Sequence, residues 1–248
     1  MTEEALRTRS QDTEEHWISI SDMMAGLMVI FLFIAISYML HVRADKERIE
    51  KIAVTYQELQ ADLYEDLANE FKNDFQDWNA VLNRQTLSIR FREPEVLFWQ
   101  GGAEVRPVFQ TILYEFFPRY IKILTDTKDD AGEYKYRDDI EEIRIEGHTS
   151  SEWNEDTSSR EAYILNMALS QGRTRSVLNF VLQINRPEIR QHREWIKKHL
   201  TANGLSSSKL IENRDGTENP RKSRRVEFRV RTNAEKRIVE IIKRGEQG

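Results

Sequence analysis

The 248-residue chain has no cysteine, which removes disulfides, thiolate metal sites and cysteine nucleophiles and leaves the redox compartment open. Its five histidines are scattered, and none falls in an HExxH or similar spacing that would mark a metal site. A strong charge of one sign is also missing: 37 Lys and Arg stand against 42 Asp and Glu, a net charge of -5. Without a basic excess, nucleic acid is not expected as the main partner. There is no GxSxG, no phosphate-binding glycine loop and no carboxylate pair that spacing forces together, so nothing demands an enzyme or a cofactor. Residues 1–16 are polar and mixed in charge and lack the pattern of a cleaved signal peptide; they read as a short tail.

What the chain does have is one long apolar run. Trp17 to Val42, WISISDMMAGLMVIFLFIAISYMLHV, carries a single formal charge, Asp22. At ~1.5 Å per residue it is long enough to cross a ~30 Å hydrocarbon core. Trp17 at one end and Tyr38 with His41 at the other fit the headgroup layers of a lipid bilayer. Asp22 stands about five residues inside Trp17, roughly 7–8 Å along the helix, and an acid at that depth costs a few kcal/mol at least. An intramembrane acid is by default a functional residue; the plainer alternative is a helix-starting cap near the interface. Ser19, Ser21 and Ser37 are polar extras of the kind common in membrane helices. A solitary acid cannot form an ion path in hydrocarbon by itself, so a partner membrane protein is implied.

The chain is expected to divide into a tail (1–16), a spanning helix (17–42), a helical connector (43–84), an α+β domain (85–232) and a C-terminal helix (233–248). In the connector, Ile49, Ile52, Tyr56, Leu59, Leu63, Leu67, Phe71, Phe75, Trp78 and Leu82 recur at spacings of three and four. The first five positions, Ile49–Leu63, keep a heptad rhythm that Asp66 then breaks, so the stripe predicts either a short parallel coiled coil there, and with it a homodimer, or one helix packed on the following domain. From Leu87 the pattern changes: LSIRF, EEIRIEGHT and SRRVEFRVR alternate as strands, while VFQTILYEFFPRYIKIL and YILNMALSQGRTRSVLNFVLQI have helical spacing. EIRQHREWIKKHL predicts a further short helix and SSSKLIENRDGTENP a turn-rich connection.

Four fragments, VLFWQGGAEVRP, IEGHTS, LNMALSQGRTRSVLNFV and ENP with RKSRRVEFRV, follow one another in the order and spacing of the OmpA-like domain. Over residues 87–232 the chain therefore resembles that family. With the apolar helix and its lone acid, the whole resembles MotB-like stator subunits, those of Zorya anti-phage defence above flagellar ones. The resemblance implies a β-α-β-α-β sandwich that grips the peptide stem of peptidoglycan, an ion-carrying role for Asp22, and a MotA- or ZorA-type membrane ring enclosing two copies of the chain. It implies an inner-membrane protein with a cytoplasmic N-terminus and a periplasmic C-terminal domain. Counting basic residues argues weakly the other way, since Arg7 and Arg9 precede the run and Arg43, Lys46, Arg48 and Lys51 follow it.

By the same resemblance, Arg173 matches the arginine that pairs with a diaminopimelate carboxylate, a task suited to a guanidinium fork; a surface ion pair is the alternative. Asn166, Leu169 and Thr149 fall on the same pocket. Ser150 stands where the family usually has an aspartate for the ligand amine, and Glu152, Glu155 or Asp156 would have to supply the charge. Arg224 and Arg225 match a basic pair that serves either the pocket or the fold. Three roles compete: an ion-driven motor subunit, a passive wall tether, and an envelope sensor whose cytoplasmic tail would be very short.

Overall fold

The computed structural model describes residues 3–92 and 97–233, and of residues 3–20, 52 and 55 the backbone alone. The C-terminal helix expected from residue 233 onward lies outside the described residues beyond Asn233. The chain divides at Ala53/Val54 into two compact units. Helix α1, Glu3–Phe71, contributes to both.

In the first unit the apolar side chains of α1 point outward on every side. Leu27, Phe31, Leu32, Phe33, Ile34 and Leu40 are all exposed. A helix that is apolar all round needs an apolar solvent. It is the one helix among the described residues that is long and apolar enough to cross a membrane.

The second unit is α+β, built around one five-stranded sheet of order β1-β2-β5-β3-β4. Its strands are β1 (Ala80–Asn83), β2 (Ser88–Arg92), β3 (Ile140–His148), β4 (Leu200–Gly204) and β5 (Arg225–Thr232). Neighbours pair antiparallel except β3 and β4, which are parallel. A parallel pair needs a crossover, and it is made by α3 (Ser159–Gln183), α4 (Pro187–Gln191) and α5 (Arg193–His199). Helix α2 (Pro107–Asp126) links β2 to β3, starting with Pro107 at its first turn, where a missing N–H costs nothing. A last short turn, α6 (Pro220–Ser223), leads into β5. The expected β-α-β-α-β succession is present as β2-α2-β3-α3-β5, with β4 an additional strand before β5, and β5 lies between β2 and β3.

Strand alternation divides the sheet into two faces. Ile89 of β2 lies opposite Phe228 of β5, which lies opposite Ile145 of β3, so one apolar row runs across three strands. Phe116 of α2 lies against this row, with its ring 5.1 Å from Phe228, 5.2 Å from Phe91 and 5.3 Å from Phe71. The other face carries Arg90, Glu227 and Glu146 in the same cross-strand manner.

The apolar stripe of the connector resolves differently along its length. Leu63, Leu67 and Phe71 are fully buried in the core of the second unit, and Leu59 packs against it. Lys135 reaches Asp62 at 3.0 Å, Tyr136 donates to Asp66, and Arg119 bonds Glu70 at 2.6 Å, which pins the polar flanks. Residues 63–71 therefore serve as a packed single helix rather than a dimer seam. The helix also stops at Phe71 instead of continuing to Arg84. Phe75 and Trp78 reach the same core through turns, Asn79 takes a positive φ of 47°, and Ala80 begins a strand. Asparagine tolerates that left-handed conformation, which ends the helical rhythm.

Candidate functional site

Helix α3 sets the site by lying very close to the sheet. A Cβ on Gly147 would come within 2.7 Å of Thr174 Cγ2, and one on Gly204 within 2.3 Å of the Gln171 backbone nitrogen. These two glycines let the helix approach β3 and β4. Ser158 caps its N-terminus by accepting from the Glu161 N–H at 3.3 Å, the S-x-x-E pattern of a helix start. The helix then presents Asn166, Leu169 and Arg173, spaced three and four apart, along one side.

These residues line a cleft of about 380 Å³ together with Phe98, Gln100, Gly101, Thr149, Ser150 and Arg224. Its size lies in the range of about 300–1,000 Å³ usual for small-molecule sites. Arg173 is 8% exposed. Its Nε donates to the Gly102 carbonyl at 2.9 Å, and its guanidinium lies 5.0 Å from the Phe98 ring centre. The Gly101–Gly102 turn that receives it needs glycine at Gly101, where φ is +67°. Arg173 is thus nearly buried and held by the Gly102 carbonyl and the Phe98 ring.

Asn166 donates through Nδ2 to the carbonyls of Ser150, at 3.1 Å, and Glu152, at 3.0 Å, fastening the loop after β3 to the helix. The Ser151 N–H donates to Glu218 at 3.1 Å, and its hydroxyl donates to the same carboxylate. The Thr149 N–H donates to Ser206 O at 2.9 Å, while its hydroxyl oxygen is buried and makes no hydrogen bond among the described residues. A hydroxyl without a partner among the described residues and a guanidinium, lining one cleft, suit a carboxylate ligand. Of the three acids that could replace the family aspartate, Glu152 lines the cleft and Glu155 and Asp156 do not. The structure thus brings Thr149, Ser150, Asn166, Leu169 and Arg173 together.

Arg225 is the exception. It lies on the opposite face of the sheet, where its Nε bonds Glu227 Oε1 at 2.6 Å and its Nη1 donates to the carbonyls of Ser223 at 2.8 Å and Lys209 at 3.1 Å. Its neighbour Arg224 lines the cleft instead. Burial by itself would raise the Glu227 carboxyl, but the Arg225 hydrogen bond, with the charges of Arg225 and Arg90, holds it at about 2. Glu146 and His148 complete a cluster with Glu227 whose ligand atoms lie within 4.8 Å. It does not fit a metal ion: both Glu227 oxygens are occupied, by Arg90, Arg225 and Ser88, and Arg229 lies 3.9 Å from Glu146. Sequence reasoning did not single out Phe98, Gln100 or Trp153. The first two sit in the FWQGG fragment, and the signal for Trp153 was a large aromatic in a polar loop.

Asp22 stands in the first unit, exposed on the apolar stretch of α1, and no Asp, Glu, Lys, Arg or His follows it before His41.

No family model matches the chain. It is 48% identical over 237 residues to the Zorya protein ZorB of Escherichia coli, covering 96% of each. Among solved structures it is similar to a MotB-like protein from Desulfovibrio vulgaris, with 23% identity, 70% of this chain and 91% of that one covered, and a TM-score of 0.46. It is also similar to the periplasmic domain of Helicobacter pylori MotB, with 16% identity, 63% and 84% covered, and a TM-score of 0.40.

Proposed function

This chain belongs to the ZorB family of Zorya proteins, and from that membership we propose that it is the wall-anchored stator subunit of an ion-driven motor in the bacterial inner membrane, acting in anti-phage defence. Two copies, joined through the membrane helix and the Ile49–Tyr56 part of the connector, stand within a ZorA-type ring. The tail is cytoplasmic, α1 crosses the bilayer inside that ring, and the α+β domain reaches the periplasm. There Arg173 and Arg224, with Thr149 and Ser150, take a carboxylate of the peptidoglycan stem, while Glu152 faces its amine. Asn166 positions the loop that carries them, and Leu169 supplies the apolar wall. Arg225 acts on the fold, by pairing with Glu227.

The observation that carries the reading is Asp22, one acid at the start of an otherwise uncharged spanning run. A carboxylate in that position is costly unless it is used, and its use is to accept and release a cation along a path completed by the ring. A lone helix gives the ion neither water nor a counter-group, which is why the ring is required.

The test is Asp22→Asn, which keeps size and hydrogen bonding but cannot cycle between charged and neutral forms. The variant should insert and co-purify with the ring protein while proton flux in vesicles and phage protection are lost. Normal flux and protection from an assembled Asp22→Asn complex would replace the motor reading with a passive tether.

A further inference from the structure

The loop between β3 and α3 presents an aromatic side chain whose place the carboxylate chemistry of the cleft does not explain. Trp153 is 39% exposed and lines the cleft beside Gln100 and Asn166. The loop holding it is fastened at both ends. Asn166 bonds the Ser150 and Glu152 carbonyls, Ser151 is held by Glu218, Thr157 bonds Asn154, and Ser158 caps the helix. Across the cleft lining, the turn that supplies Gln100 and Gly101 begins at Trp99, which is 52% exposed, with the Arg106 guanidinium 4.5 Å from its ring centre. An indole kept in water on a pinned loop is a fixed apolar plate, bordered by polar groups that give orientation.

A flat aromatic surface at the edge of a polar cleft is suited to one ligand class above others, the pyranose ring. The axial C–H bonds of one sugar face pack on the indole, while hydroxyl and acetamido groups turn toward side chains such as Gln100 and Glu152. In peptidoglycan the peptide stem hangs from such a ring, so a cleft that holds the stem brings the glycan strand to its rim. We propose that Trp153 forms a saccharide subsite that stacks on an N-acetylhexosamine ring of the glycan strand, extending recognition beyond the stem peptide. This rests on the wall-binding reading given above. It offers a physical reason why a cleft with Ser150 in place of an acid still holds its ligand: part of the grip moves from the amine to the sugar.

The experiment titrates the full chain in detergent micelles with three probes: intact sacculi, peptide-free glycan strands released by amidase, and free stem tripeptide. The unaltered chain should bind all three. Trp153→Ala should weaken glycan and sacculus binding roughly tenfold, the effect of losing one aromatic stacking contact, while tripeptide binding stays within about twofold and so reports an intact fold. Trp153→Phe should keep most of the glycan affinity. Failure of the unaltered chain to bind peptide-free glycan, or equal glycan binding by Trp153→Ala, overturns the subsite. If sacculus binding then still falls in Arg173→Ala, the wall-binding reading survives; if neither variant loses sacculus binding, that reading falls as well.

Discussion

Leu32 and Leu63 are the same residue on the same helix, yet Leu32 is 59% exposed and Leu63 has no exposed surface. Around Leu32 apolar side chains point in every direction, as suits a helix that crosses a membrane. Around Leu63 they fall in a stripe, Leu59, Leu63, Leu67 and Phe71, with Asp62, Asp66 and Glu70 beside it, and the α+β domain covers the stripe. Hydrophobicity alone does not distinguish the two halves of α1. The arrangement of polar residues around the apolar ones does, because it states how much of the helix circumference a protein core has to cover.

The comparison can be broken most severely at Phe71, whose ring touches Phe116 and Trp78 in the core. Phe71→Ala should cost about 3–5 kcal/mol and lower the melting temperature of the domain by roughly 10 °C. Leu32→Ala should leave that transition in place, since its side chain belongs to the membrane half and not to the domain core. Calorimetry of both variants in detergent checks the pair; equal shifts would mean that the two halves are not energetically distinct.

The same contrast between buried and exposed chemistry extends to charge. Glu227 is buried with Arg225, and its folded value of about 2 lies below its ordinary 4.5. A depressed value means that the unfolded chain takes up the proton first as acid is added. The stability contributed is therefore complete above about pH 4.5 and is lost as the pH falls toward 2. Glu227→Gln should cost about 3 kcal/mol at neutral pH, because Arg225 is left buried without its partner. Its stability should also depend less on pH between 4.5 and 2, which denaturant titrations across that range would show. Arg173→Ala is the milder companion. It removes a charged fork worth about 1.5–3 kcal/mol to a bound carboxylate, so sacculus retention in a pull-down should fall by about ten- to a hundredfold while the domain stays folded, and Arg173→Lys should restore it in part.

Much of this was legible in the sequence, and the reasons differ from element to element. Strands β2, β3 and β5 alternate apolar and charged residues, so their inner and outer faces could be read directly. The strands β1, AVLN, and β4, LTANG, were missed because both are short sheet-edge segments with little alternation to read. Spacing misled at 71–82, where Phe71, Phe75, Trp78 and Leu82 keep a helical rhythm although the chain turns at Asn79; side chains converging on one core can share a period without sharing a helix. In the cleft, Asn166, Leu169 and Arg173 were legible through the resemblance to the OmpA-like domain, and α3 sets them along one side. The basic pair was not, since neighbouring residues at the start of a strand point to opposite faces, and only the register of β5 sends Arg225 to Glu227 and leaves Arg224 to the cleft.

The stator role requires α1 to place the α+β domain on the wall side of the membrane, against the weak bias of Arg43, Lys46, Arg48 and Lys51 toward the cytoplasm. The direct measurement fuses a reporter active only outside the cytoplasm, and separately one active only inside it, after Gly248 of the full chain in cells. Activity of the outside reporter with silence of the inside one is the predicted result. Activity of the inside reporter alone would contradict the topology, the wall ligand of the cleft and the stator role together.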